Sequence, residues 1–241
     1  MTSLGIIQAR MDSSRLPNKV LRKLGTRTML ERVVRAARQS GVLDELVVAT
    51  TVEATDDAIV AECERIGVPY HRGPVDDVLA RFLGVLDRYD SDIVLRFTAD
   101  NPLIDPELIA RAHRVFVASG ADYLSTSIGH TLPRGLDVEM VRTPVLRAID
   151  AVATEHHRVH VTSYIYTHAD DFDVVGLTLQ PDLSHLRLTM DTEDDLKLIE
   201  AIVDEFGDEP VGYRKLTSWL AAHPELVEIN AHVLQKALVQ A

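Results

Sequence analysis

The chain has 241 residues, 46% of them hydrophobic and 26% charged, enough for a sizeable core in one α/β domain or two small ones. Its formal net charge of −12 argues against a nucleic-acid partner, which needs a basic face. The single cysteine, Cys63, excludes an internal disulfide and a cysteine metal cluster; no run reads as a signal peptide or membrane span, so the cytoplasm is the expected location.

Leu4-Gly5-Ile6-Ile7 is a short apolar run that predicts a buried first strand. Behind it comes a loop carrying Arg10, Ser13, Ser14, Arg15 and Lys19, with Gln8 and Ala9 at its root. Pro17 fixes its own φ and Asn18 tolerates a left-handed conformation, so the loop has a set shape. Three cations and two hydroxyls leaving one strand end fit a polyanion of triphosphate size. Arg grips phosphate oxygens bidentately and Lys supplies a point charge. The loop is neither a Walker A loop nor a dinucleotide fingerprint, so a different nucleotide site is implied. The cations continue through Arg22, Lys23, Arg27, Arg32, Arg35 and Arg38, a local basic region in an acidic chain.

Further along, Thr28 caps a helix of helical apolar spacing that stops near Gly41. Glu45–Thr50 reads as a central parallel strand, Thr55 to Ile66 as a helix that buries Cys63, and Val68-Pro69-Tyr70 as an extended piece. Val78–Tyr89 reads as a helix and Asp92–Phe97 as a strand that carries Arg96. Asp105-Pro106-Glu107 announces a helix to about Ser119. Alternating strands and helices imply a mostly parallel sheet covered on both faces. In the second half, Tyr123–Ser125, Leu136–Val141, Phe172–Leu179 and Leu186–Met190 read as strands. Pro144 opens a helix, Thr192–Phe206 is another, Trp219 lies in a short one, and Ala231–Val239 is the last.

Two acids stand out. Asp100 follows an apolar strand and precedes Asn101-Pro102, which puts its carboxylate at the C-terminal edge of the sheet. Asp191 likewise ends an apolar run. Thr192, Glu193, Asp194 and Asp195 after it are explained as an N-cap and first-turn acids, whereas Asp191 is not needed for capping. Two carboxylates at strand ends, beside a basic loop and a triphosphate, make a magnesium site.

Several motifs carry a resemblance. Gln8-Ala9-Arg10-Met11 through Ser13, Arg15-Leu16-Pro17 and Lys19 is similar to the N-terminal signature of the CMP-sugar synthetase superfamily, nearest to the spore coat polysaccharide biosynthesis protein F family of cytidylyltransferase-like proteins. Thr98–Pro106, Met190–Leu196, Gly73–Phe82, Pro133–Glu139, Arg158–Ile165 and Pro224–Asn230 resemble further motifs of that family. The resemblance implies a Rossmann-like, glycosyltransferase-A-type fold in a single domain of residues 1–241. Within it, about 120–185 would be an insert for acceptor binding or oligomerisation and 208–241 a helical tail. It implies CTP as substrate, Mg²⁺ on Asp100 and Asp191, a nucleotide site from Gln8 to Lys19 with Arg96, a small anionic acceptor and a homodimer. Asp77, Arg81, Arg134, Asp137, Glu139 and His160 fall on the acceptor side. Read bottom-up, Asp77 equally caps its helix and pairs with Arg81 at i,i+4, and Asp137 and Glu139 share one strand face. His156, His157 and His168 read as surface residues.

The sequence also departs from the family pattern. Asp12 and Asn18 stand where glycines are usual, Ala99 replaces a glycine, Asn101 a cysteine and Arg134 an acid. The expected reaction is transfer of CMP from CTP to an acidic sugar, sugar phosphate or phosphonate, with release of pyrophosphate. The alternatives are a metal-dependent glycosyltransferase, for which Asp100-Asn101-Pro102 lacks the D-x-D pair, and a non-catalytic nucleotide-binding subunit.

Overall fold

The fold comes from a computed structural model that describes residues 1–13 and 15–234. The first half runs β1 (Ser3–Gln8), a short pair β2 (Lys23–Leu24) and β3 (Arg27–Thr28), α1 (Met29–Gln39), β4 (Glu45–Thr51), α2 (Asp57–Ile66), β5 (Tyr70–Gly73), α3 (Val78–Leu86), β6 (Ile93–Thr98) and α4 (Pro106–Ser119). The second half adds β7 (Tyr123–Ser125), β8 (Glu139–Arg142), α5 (Thr143–Ala148), α6 (His156–Val159), α7 (Ser163–Thr167), β9 (Val174–Gly176), α8 (Glu193–Phe206), α9 (Tyr213–Ala221) and α10 (Pro224–Val227).

Seven strands form one sheet in the order β5-β4-β1-β6-β8-β7-β9. Every pairing in it is parallel except those of β8, which runs against both β6 and β7. Alternation along the central strands feeds two cores. Ile7 and Val48 point to the face covered by α1, α2, α4 and α8; Ile6, Val47 and Ala49 point to the face covered by α3 and α5. The fold is thus the mostly parallel Rossmann-like nucleotidyltransferase architecture that the strand–helix alternation and the family resemblance imply.

Caps fall where the side chains predict. Thr28 accepts from the Glu31 amide, Asp105 from the Glu107 and Leu108 amides, and Thr192 forms a capping box with Asp195. Cys63 is buried, and burial pushes its thiol up to about 12.

Five readings need correction. Leu186–Met190 is no strand: its one ladder contact is a bridge between Arg134 and Arg187. Leu186, Leu188 and Met190 are buried because the segment docks across loop ends, with the Leu188 amide on the Arg134 carbonyl and the Met190 amide on the Asp100 carbonyl. Strand β8 starts at Glu139, so Asp137 lies ahead of it, its carboxylate turned back to the Gly135 amide and the Ser127 hydroxyl, each at 3.1 Å. Asp77 caps α3 but pairs with Arg158 at 2.6 Å rather than with Arg81. Strand β9 covers only Val174–Gly176 of the expected Phe172–Leu179. The expected helix at Ala231–Val239 is a turn at Ala231 and His232 and lies from 235 onward outside the described residues.

Gly135 sits at φ +100, and a Cβ there would meet the Leu188 carbonyl carbon and the Thr189 nitrogen at 2.5 Å. Backbone cannot yield as a flexible side chain does. Gly135→Ala should therefore destabilise the fold by roughly 2–4 kcal/mol, read as a lower denaturant midpoint in chemical unfolding. An unchanged midpoint would mean that the Leu188–Thr189 segment is not packed against this glycine.

Candidate functional site

Strands β1 and β6 are parallel neighbours with Gln8 level with Thr98, so both release their loops at one edge of the sheet. The basic loop leaves the first and Asp100 follows the second. A buried carboxylate, Asp56, holds the start of the basic loop: it accepts from the Met11 amide at 2.7 Å and from the Thr50 hydroxyl at 3.1 Å. It also accepts from the amide and hydroxyl of Thr51 at the end of β4. Sequence reasoning passed over Asp56, whose only local signal was an acid two positions past Ala54 at a helix start.

The centre of the site is an ammonium between two carboxylates. Lys19 Nζ lies 2.9 Å from Asp100 Oδ2 and 2.7 Å from Asp191 Oδ1. Asp191 Oδ2 also meets Arg15 Nη2 at 3.1 Å and Arg187 Nη2 at 2.8 Å. Burial works to push the Asp191 carboxyl up, but Lys19, Arg15 and Arg187 together hold it below the usual carboxylate range. Burial likewise works against the Lys19 charge, and Asp100 and Asp191 overcome it to raise its pKa.

Behind this group stands Asp195, fully buried. It accepts from Arg187 Nε at 2.8 Å, from the Asp191 and Thr192 amides at 2.9 and 3.0 Å, and from Asn230 at 2.8 Å. Arg187 is therefore oriented by one acid and presented to another. Its role was not legible in the sequence, because nothing along the chain ties residue 187 to Asn230.

A cleft of about 250 Å³ opens beside the ammonium. Gln8, Ala9, Arg10, Ser13, Arg15, Lys19 and Asp100 line it, and so do Arg81 and His160. Ser14 lies outside the described residues. Arg96 is not among the described lining residues: it donates to Gln8 Oε1 at 3.1 Å and pairs with Glu139. Glu139 also accepts from the hydroxyls of Tyr123 and Thr162. Asp77, Arg134 and Asp137 likewise lie away from the described lining. The expected acceptor set is thus divided, with His160 and Arg81 brought to the nucleotide-side residues and the others not.

Most of the local basic region is neutralised through the fold. Arg22 meets Glu193, Arg27 meets Glu31, Arg32 meets Asp208 and Arg35 meets Glu209. The cations that line the cleft are Arg10, Arg15, Lys19 and Arg81. Among the described residues no three His, Cys, Asp or Glu side chains converge as a metal cluster. Asp100 and Asp191 nevertheless already share one cation, the Lys19 ammonium, so the pair fits a divalent ion.

A family model described as cytidylyltransferase matches residues 4–216. The spore coat polysaccharide biosynthesis protein SpsF of Bacillus subtilis is 36% identical over 231 residues, 92% of this chain and 95% of that one. A cytidylyltransferase structure from Leptospira borgpetersenii superposes with a TM-score of 0.91 at 27% identity, covering 98% of this chain and 100% of that one. Two others share the fold alone. A CMP:2-keto-3-deoxy-manno-octonic acid synthetase complexed with CTP has a TM-score of 0.62 at 15% identity, with 85% and 99% covered. Rv0371c of Mycobacterium tuberculosis, complexed with manganese, has 0.60 at 16%, with 83% and 99% covered.

The acid limb of stability tests the cluster. A carboxyl whose folded pKa is lowered contributes stability that is present above its unfolded value, near pH 4, and lost as pH falls through its folded value. Asp191→Asn should therefore flatten the loss of unfolding free energy below about pH 4, measured by denaturant titrations from pH 7 to 3. Asp195, lowered chiefly by Arg187 against its own burial, keeps a residual slope in that variant.

Proposed function

Because the chain belongs to the cytidylyltransferase family, we propose that it transfers CMP from CTP to an oxygen of an acidic sugar, sugar phosphate or phosphonate and releases pyrophosphate. The observation that carries the reading is the Lys19 ammonium between Asp100 and Asp191 at the mouth of a cation-lined cleft. The CTP-bound and manganese-bound neighbours of the same fold agree with a nucleotide and a divalent cation here.

In this reading the loop cations Arg10, Arg15 and Lys19, with Ser13, Ser14 and the loop amides, take the β- and γ-phosphates and stabilise the leaving pyrophosphate. Gln8 and Ala9 border the nucleoside. Asp100 and Asp191 hold Mg²⁺ or a similar ion, whose chemistry is to neutralise charge on the phosphates. Lys19 gives up its carboxylate contacts to reach phosphate oxygens, and Arg187, fixed by Asp195, holds Asp191 in place beside Lys19. The acceptor enters from the side of residues 120–185, which brings His160 to the cleft. In-line attack at phosphorus needs little covalent help from the protein, so positioning and electrostatics supply most of the rate.

Arg15→Ala and Lys19→Ala should each weaken CTP binding by roughly 1.5–3 kcal/mol, the scale of a charge-assisted hydrogen bond, with the fold retained. Calorimetry with magnesium present reads this, and unchanged affinity in both variants sinks the phosphate assignment. Asp100→Asn and Asp191→Asn keep shape and lose charge, so turnover and divalent-cation dependence should both be lost. The decisive assay is pyrophosphate release from each of the four NTPs with pooled acidic sugars and phosphonates. Release with CTP and an acceptor supports the transferase; binding without release would favour a non-catalytic subunit.

A further inference from the structure

Arg81 is out of keeping with its surroundings. It lies on the inner face of α3 among Val78, Phe82 and Val85 and is only 2% exposed. Its buried Nε has no partner, and no hydrogen bond or ion pair joins its guanidinium to a described residue. Asp56 and Asp77 attract it from beyond hydrogen-bond distance, while their oxygens accept from the Met11 and Thr51 amides and from Ala80 and Arg158. Burial, followed by repulsion from Arg10, pushes its pKa down to about 10. A buried guanidinium N–H without an acceptor is costly, and an oxyanion entering the cleft would supply one.

The fold also makes room for it. Gly73 ends β5 against the Arg81 stem, and a Cβ there would lie 2.6 Å from Arg81 Cγ. The absent side chain lets the stem pass across the strand end, and Arg81 lines the cleft that Arg10 and His160 also line. It stands across the loop's strand from Asp100. In the sheet order β5-β4-β1-β6, Arg81 follows β5 on one side of β1, whereas Asp100 follows β6 on the other.

We propose that Arg81 is a second oxyanion subsite of the cleft, carried by α3 rather than by the Arg10–Lys19 loop, and that it receives the acid group of the acceptor. This rests on the transferase reading and deepens it, since it places the acceptor's carboxylate, phosphate or phosphonate at a named guanidinium. The other source of the same chemistry is a phosphate of the nucleotide itself, and the test separates the two.

Methylphosphonate serves as the probe, titrated by calorimetry into the free protein and into protein saturated with CTP and magnesium. The wild type should bind it in both states. Arg81→Met should weaken that binding roughly tenfold or more, Arg81→Lys less, with CTP affinity within about threefold of wild type. Should Arg81→Met not fold, Gly73→Ala carries the same test by displacing the stem. No binding by the wild type, or unchanged binding in Arg81→Met, overturns the subsite. So does displacement of the probe by CTP together with a tenfold loss of CTP affinity, which would give Arg81 to the nucleotide phosphates. A wild type that takes no CTP refutes the transferase reading, while titration of the free protein still reads the subsite.

Discussion

The site depends on one shared ammonium. Lys19 joins Asp100 to Asp191, residues that lie 81 and 172 positions away from it along the chain. Each carboxylate on a separate loop would be a solvated turn residue. Brought to one cation and partly withdrawn from water, the two become a single electrostatic unit, and the loops that carry them lose independent freedom. Desolvation of all three charges is repaid only while the geometry holds, so any ligand that replaces the ammonium must bring charge of its own.

That unit is held by groups that never meet the cleft. Asp56 ties the basic loop to the end of β4, and Asp195 ties Arg187 and the start of α8 to Asn230 in the tail. Both are carboxylates buried among amides and a guanidinium, so their lone pairs are occupied and their orientation is set. The backbone adds a further tie, with the Met190 amide and the Thr189 hydroxyl both donating to the Asp100 carbonyl. The acidic tail and helices meanwhile absorb most of the N-terminal arginines. Arg10, Arg15, Lys19 and Arg81 converge on the cleft, so an acidic protein still presents a local set of cations to an anionic ligand.

Local chemistry announced much of the fold. Continuous apolar runs marked β1, β4 and β6, and Thr28, Asp105 and Thr192 marked helix starts through side-chain caps that act within three residues. Loop composition pointed to Arg10, Arg15 and Lys19, and position after a strand pointed to Asp100. The same kind of reasoning misread Leu186–Met190, because burial by docking and burial by strand pairing leave the same apolar pattern along the chain.

What the sequence by itself determined was therefore whatever is decided within a few residues: the parallel-sheet architecture, the cap positions, the cation loop and the family. Tertiary structure alone decided which charges face one another. It gave Glu139 to Arg96, Asp77 to Arg158 and Arg187 to Asp195, and it left the Arg81 Nε at the cleft without an acceptor. The physical reason is range. Caps and periodicity are set by neighbours along the backbone, whereas an ion pair is set by distance in space and by the water removed around it, which no stretch of chain contains.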